Sequence, residues 1–119
     1  MILLVEDDHL VRELLRSFLE SAGHDVVEAS SAEEALRATA AASLDVRLMV
    51  TDMDLPGIDG AELARRLKVT RPDLRILYIS GQPVEQTASG LGEGAVAFLS
   101  KPFTREMLLD KIRALTIRA

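Results

Sequence analysis

The chain has 119 residues, 48% hydrophobic and 28% charged, with a formal net charge of −5 and no cysteine. These totals fit one globular domain over residues 1–119 and exclude wholesale disorder, a disulfide framework, thiolate metal sites and cysteine nucleophiles. The basic residues are scattered, so nothing tracks a nucleic-acid backbone directly. No apolar stretch nears the roughly 18 residues of a membrane-spanning helix, so a cytoplasmic setting is expected.

The run "ILLV" at 2–5 is the first of five short segments rich in Ile, Leu, Val and Met. From His9 to Ala22, Leu10, Val11, Leu14, Leu15, Phe18 and Leu19 repeat at the three-and-four spacing of a core-facing helix, which Gly23 stops. "VVEA" at 26–29 is the second run, and Ser31 with Glu34 has the capping-box spacing that opens an Ala-rich helix to about Ala42. "RLMV" at 47–50 leads to Asp52 and the breakers Pro56, Gly57 and Gly60, after which Leu63, Ala64 and Leu67 mark a helix from Gly60 to Val69. "RILYI" at 75–79 precedes "GQPVEQTASGLGEG", a poor helix because of Pro83 and its glycines. "AVAFL" at 95–99 precedes a last helix from Thr104 to Thr116, carrying Met107, Leu108, Ile112 and Leu115.

Mostly continuous apolar runs suit strands covered on both faces, and their alternation with helices predicts right-handed βαβ units in a doubly wound α/β domain with a parallel sheet. Ligands of such sheets gather at the strand carboxyl ends. Glu6, Asp7 and Asp8 follow the first run, Asp52 the third, Ser80 and Gly81 the fourth, and Lys101 and Pro102 the fifth. The second leads only to Ser30 and Ser31, a turn and helix cap.

Glu6, Asp7 and Asp52 gathered at one rim would repel unless they protonate or bind a cation. An all-oxygen site favours a hard ion, Mg²⁺ above others. Taken singly, acids at strand ends face water, a lone lysine lies on the surface, and a Ser before Gly makes a turn; their convergence is what carries information. Three carboxylates and one ammonium sum to roughly −2, which a divalent ion would cancel, letting a dianionic phosphoryl group approach. Asp52 would then attack phosphorus to give an aspartyl phosphate. The added charge suits a switch as well as a turnover enzyme.

In these motifs the chain resembles the receiver (response-regulator) domain of two-component signalling. The family's pattern is a strand ending in two acids, a phospho-accepting Asp with Pro four residues on, a Ser or Thr closing the fourth strand, and Lys-Pro after the fifth. Glu6 and Asp7, Asp52 and Pro56, Ser80, and Lys101 with Pro102 fill it. The resemblance implies a flavodoxin-like (βα)₅ fold with strand order 2-1-3-4-5. It also implies transfer to Asp52 from a histidine of a histidine kinase or histidine phosphotransfer protein. Asp7 would ligate Mg²⁺ (Mn²⁺ as an alternative) directly and Glu6 through water, with the backbone carbonyl of Asp54 completing the site. Lys101 would pair with the phosphoryl group, Ser80 would shift toward it, and Phe98 would rotate inward. Asp54 and Gln82 would tune the phosphate lifetime.

Glu6, Ser80 and Phe98 replace the commoner Asp, Thr and Tyr, all within the family's range. Asp8 is a third consecutive acid, and the Glu6/Asp7 frame is preferred because it keeps the family spacing from "LLV". No output domain is expected within 1–119, so the chain is a stand-alone receiver or one excised from a hybrid histidine kinase or larger regulator, acting as a monomer or weak dimer. It is not expected to be a free-standing turnover enzyme, beyond phosphorylating itself at Asp52 and losing that phosphate.

Two other readings stand beside this one. Asp52-Met53-Asp54 is a D-x-D pair like that of Mg²⁺-dependent haloacid-dehalogenase-like phosphatases, but those place it after the first strand and are usually longer. A degenerate receiver acting only as a binding module is opposed by the intact Glu6/Asp7, Asp52 and Lys101 set. His9 and His24 read as exposed boundary residues. "GLGEG" lacks the spacing and preceding strand of a dinucleotide fingerprint. Leu10, Val11 and Leu14 extend the helical stripe toward a docking face for a four-helix phosphotransfer partner.

Overall fold

A computed structural model describes residues 1–40, 45–81 and 96–117. Its strands are β1 (Ile2–Val5), β2 (Val26–Ala29), β3 (Leu48–Asp52), β4 (Arg75–Ser80) and β5 (Val96–Ser100), and its helices are α1 (His9–Ser21), α2 (Ala32–Ala38), α3 (Gly60–Thr70) and α4 (Arg105–Ile117). All strand pairings are parallel, as the alternation of runs and helices predicts, and the order is β2-β1-β3-β4-β5, as the resemblance implies. The Gly-rich interval from 82 onward, Gln82 included, lies outside the described residues.

Alternation along the strands explains why the apolar runs are continuous: each face of the sheet has its own core. Leu3, Val5, Met49, Ile76 and Tyr78 pack against Ala32 and Ala35 of α2 and Leu63, Ala64 and Leu67 of α3. Ile2, Leu4, Val50, Leu77 and Ile79 pack on the other side against Leu15 and Leu19 of α1 and Leu108, Ile112 and Leu115 of α4. Burial of each such side chain contributes about 1.5–3 kcal/mol, enough to hold a rim that carries charge.

Three strands run one or two residues farther than the apolar runs suggest. Parallel pairing is a backbone property, so Asp52 still pairs with Ile79 and Ser80 with Ser100 despite their polar side chains. Asp52 is therefore the last strand residue rather than the first loop residue.

The Ala-rich helix is shorter than expected, ending at Ala38 instead of near Ala42. The Thr39 hydroxyl donates back to the Ala35 carbonyl at 2.8 Å, and Arg71, at the end of α3, donates to the Thr39 carbonyl at 3.0 Å. The Ala40 amide donates to the Arg37 carbonyl at 3.3 Å, three residues back rather than four, so the last turn tightens and the α-helical ladder is not continued. At the start of α2, the Glu34 amide donates to Ser31 Oγ at 3.0 Å, while the Glu34 carboxylate reaches back to the Ser30 amide at 2.9 Å.

Gly23 terminates α1 at a φ of +92°, with its own amide donating to Glu20 and that of His24 to Leu19, the paired bonds of a Schellman motif. At Gly60 the constraint is space: a Cβ there would lie 2.6 Å from the carbonyl oxygen of Asp52. The absent side chain lets α3 start directly against the end of β3. Gly60→Ala is accordingly expected to destabilise the fold by about 1–3 kcal/mol, because backbone must shift. Gly81→Ala, where a Cβ meets nothing within 4 Å, is expected to stay within about 0.5 kcal/mol of the parent in urea denaturation.

Candidate functional site

The carboxyl ends of β1, β3, β4 and β5 bring Glu6, Asp7, Asp52, Ser80 and Lys101 to one rim. Ligand oxygens of Glu6, Asp7 and Asp52 all lie within 4.8 Å of one another. Asp52 is 7% exposed: its Oδ1 accepts from the Asp54 amide at 2.9 Å, and its Oδ2 lies 3.3 Å from Lys101 Nζ. The same ammonium stands 3.9 Å from Glu6 Oε1.

Glu6 is the unusual member, 1% exposed although it carries a carboxyl group. Its Oε2 accepts from the Asp8 amide at 3.1 Å, while its Oε1 is buried without a hydrogen bond among the described residues. Burial pushes its pKa up from 4.5 to about 7; the Asp8 amide opposes that rise, and the Asp52 charge adds to it. A buried oxygen lacking a donor, beside two further carboxylates and one ammonium, is a donor set that suits a hard divalent cation.

Asp8 does not belong to this set. Its carboxylate caps α1, accepting from the amides of Leu10 at 2.9 Å and Val11 at 3.1 Å. An Asp immediately before a helix-period run is an N-cap signal, and it would have resolved the three-acid ambiguity from the sequence. Asp7 is exposed, and Asp54 keeps its side chain in solvent while its amide orients Asp52.

Ser80 is buried at the end of β4, and its carbonyl accepts from the Lys101 amide at 2.8 Å, fixing where the lysine leaves the sheet. The Lys101–Pro102 peptide is cis. Phe98 is half-buried on β5 and stacks on Tyr78, the ring centroids 5.4 Å apart and the planes at 22°. That stack had no signal in the sequence, since it follows from the register that sets Tyr78 opposite Phe98. His9 lies on the surface between Arg12 and Glu13, and Leu10 and Leu14 of α1 are 74% and 50% exposed.

The acidic site is a shallow rim. A cavity of about 1030 Å³ between Arg47, Lys68, Arg71 and Arg75 lies at the opposite end of the strands and has no part in it. No helix among the described residues is long and apolar enough to cross a membrane.

Comparison with known proteins agrees with this geometry. The family model for the response regulator receiver domain matches residues 2–113. The response regulator MprA of Mycobacterium leprae is 42% identical over 118 residues, which is 98% of this chain and 51% of that protein. MprA of Mycolicibacterium vanbaalenii is 41% identical over 118 residues, covering 98% of this chain and 50% of the relative, so the chain spans about half the length of these curated relatives. Among solved structures, a response regulator receiver protein from Sinorhizobium medicae WSM419 superposes with a TM-score of 0.88 at 30% identity, covering 98% of this chain and 94% of that one. The receiver domain of the hybrid histidine kinase CckA gives 0.80 at 29% identity, with 96% of each chain covered. The chain belongs to the response regulator receiver domain family, the phospho-accepting module of two-component systems.

Proposed function

We propose that Asp52 is the phosphoacceptor and that Glu6, Asp7 and Asp52, with the Asp54 carbonyl, form a Mg²⁺ site that also accepts Mn²⁺. The observation that carries this reading is the placement of Asp52: buried at the end of the central strand, with one oxygen held by an amide and the other beside Lys101. The Asp54 amide and the Lys101 ammonium fix how the carboxylate is aimed. When bound, the cation supplies the charge that lets an anionic phosphoryl group come up to three carboxylates.

Asp52 then attacks phosphorus as the bond to the donor histidine nitrogen breaks, and the neutral imidazole leaves. Lys101 exchanges its contact with Asp52 for one with a phosphoryl oxygen. Ser80, at the next strand end, closes on the same group, and Phe98 moves with it against Tyr78. Asp54 and Gln82 tune hydrolysis of the product, and the chain turns over no substrate beyond its own phosphate. The donor is a histidine kinase or histidine phosphotransfer protein that rests on the exposed Leu10 and Leu14 of α1, one turn from the acidic loop. The proposed domain, residues 1–119, works by changing shape, its effect passing to whatever it is joined to or binds.

Incubation with Mg²⁺ and acetyl phosphate is expected to add one phosphoryl mass to the wild-type chain and none to Asp52→Asn, as read by intact-mass spectrometry. No gain in wild type, or an equal gain in the variant, would sink the acceptor assignment.

Glu6 gives a second expectation. Its folded-state pKa near 7 exceeds the ordinary 4.5, so the stability contributed by its neutral form is fully present below pH 4.5 and lost as pH rises through about 7. In metal-free protein Glu6→Gln is expected to raise stability at pH 8 by about 1–3 kcal/mol and to change little at pH 4.5. Thermal melts in EDTA and in Mg²⁺ test this, with Mg²⁺ raising the wild-type midpoint more than that of the variant.

A further inference from the structure

The β1–α1 loop carries three successive acids, yet its backbone is held close to Asp52. The β1 ladder ends at Val5, so Glu6 depends on other partners for its own backbone groups. Its amide donates to the Ala29 carbonyl at 3.1 Å, and its carbonyl accepts from Arg12 Nη1 at 2.9 Å. Arg12 belongs to α1, one turn beyond the Asp8 cap, and its side chain is 17% exposed.

The guanidinium is itself braced. Its Nε stands 3.5 Å from Glu28 Oε1 on β2, and its Nη2 lies 3.2 Å from His9 Nδ1. The other oxygen of Glu28 takes Arg16 Nη1 at 2.7 Å. One planar fork thus joins the helix, the neighbouring strand and the acidic loop, a geometry that a lysine with a single ammonium does not reproduce.

We propose that Arg12 is a positioning residue for the divalent-cation site: braced by Glu28, it holds the Glu6 carbonyl so that the Glu6 and Asp7 carboxylates stay gathered with Asp52. The proposal rests on reading the acidic cluster as a cation site. Two effects of removing Arg12 have opposite signs, which makes the role testable. Losing a positive charge beside three carboxylates would by Coulomb attraction alone tighten a divalent cation. Losing the tether lets mutual repulsion spread the loop, and binding weakens.

The test is isothermal titration of metal-free protein with Mg²⁺ at fixed ionic strength. Arg12→Met, which keeps the buried stem, is expected to weaken Mg²⁺ binding by about 10-fold, the lower end for residues that orient metal ligands, and Arg12→Lys by about 3-fold. Arg16→Met removes a charge from the same helix without touching Glu6, and is expected to bind Mg²⁺ as wild type does or slightly more tightly. Phosphorylation by acetyl phosphate at saturating Mg²⁺ is expected to stay within about 2-fold of wild type in Arg16→Met, which touches neither the acidic loop nor Asp52 and Lys101. Unchanged or tighter binding in both Arg12 variants, or an equal loss in Arg16→Met, overturns the proposal. Should Arg12→Met fail to fold by circular dichroism, Arg12→Lys decides the question. Wild-type protein that binds no Mg²⁺ overturns the cation-site reading itself, a result distinct from wild-type binding that survives in the Arg12 variants.

Discussion

Mutual repulsion among Glu6, Asp7 and Asp52 governs this fold's working end. Three carboxylates within 4.8 Å of one another, two of them buried, are opposed by the ammonium of Lys101, itself 35% exposed. Such a cluster raises the free energy of the folded state unless a proton or a cation joins it. It persists because two apolar cores, one on each face of the sheet, hold the strand ends regardless of what those ends carry. Excess negative charge at such a rim is a donor set that suits a divalent cation.

The parallel sheet is what makes the rim rigid. All five strands present their carboxyl ends in the same direction, so residues far apart in sequence arrive side by side, and backbone pairing continues to Asp52 and Ser80. Lys101 is placed by its own amide, which donates to the Ser80 carbonyl before its side chain turns back toward Asp52 and Glu6. Gly60 lets α3 begin against the Asp52 carbonyl, so the loop after Asp52 stays short and close. Each placement is steric or hydrogen-bonded, and none needs the charges to attract one another.

The acidic loop is the exception, since it has no ladder of its own. Asp8 is consumed in capping α1, Glu6 is drawn inward with one oxygen on the Asp8 amide, and Arg12 ties the Glu6 carbonyl to the helix. Three acids in a row therefore divide into three structural fates: a buried carboxylate, an exposed one and a helix cap. Phe98 rests half-buried on the enclosed ring of Tyr78, stacked across the β4–β5 pairing.

Much of this was legible in the residues alone. The period of the apolar positions announced strands and helices to within one or two residues at most boundaries, and the order of Glu6-Asp7, Asp52, Ser80 and Lys101-Pro102 along the chain carried the family. Where the reading fell short at the last residues of β3 to β5 and at Arg12, the missing information was contact with another segment, whereas Asp8 needed only its local N-cap pattern. Periodicity and motif order are local, so they survive in a string of letters. The Lys101–Asp52 contact spans 49 residues of chain, and the Arg71 bond to the Thr39 carbonyl spans 32. Such contacts exist only once packing has chosen which strand lies beside which, because neither partner alone carries a preference for the other.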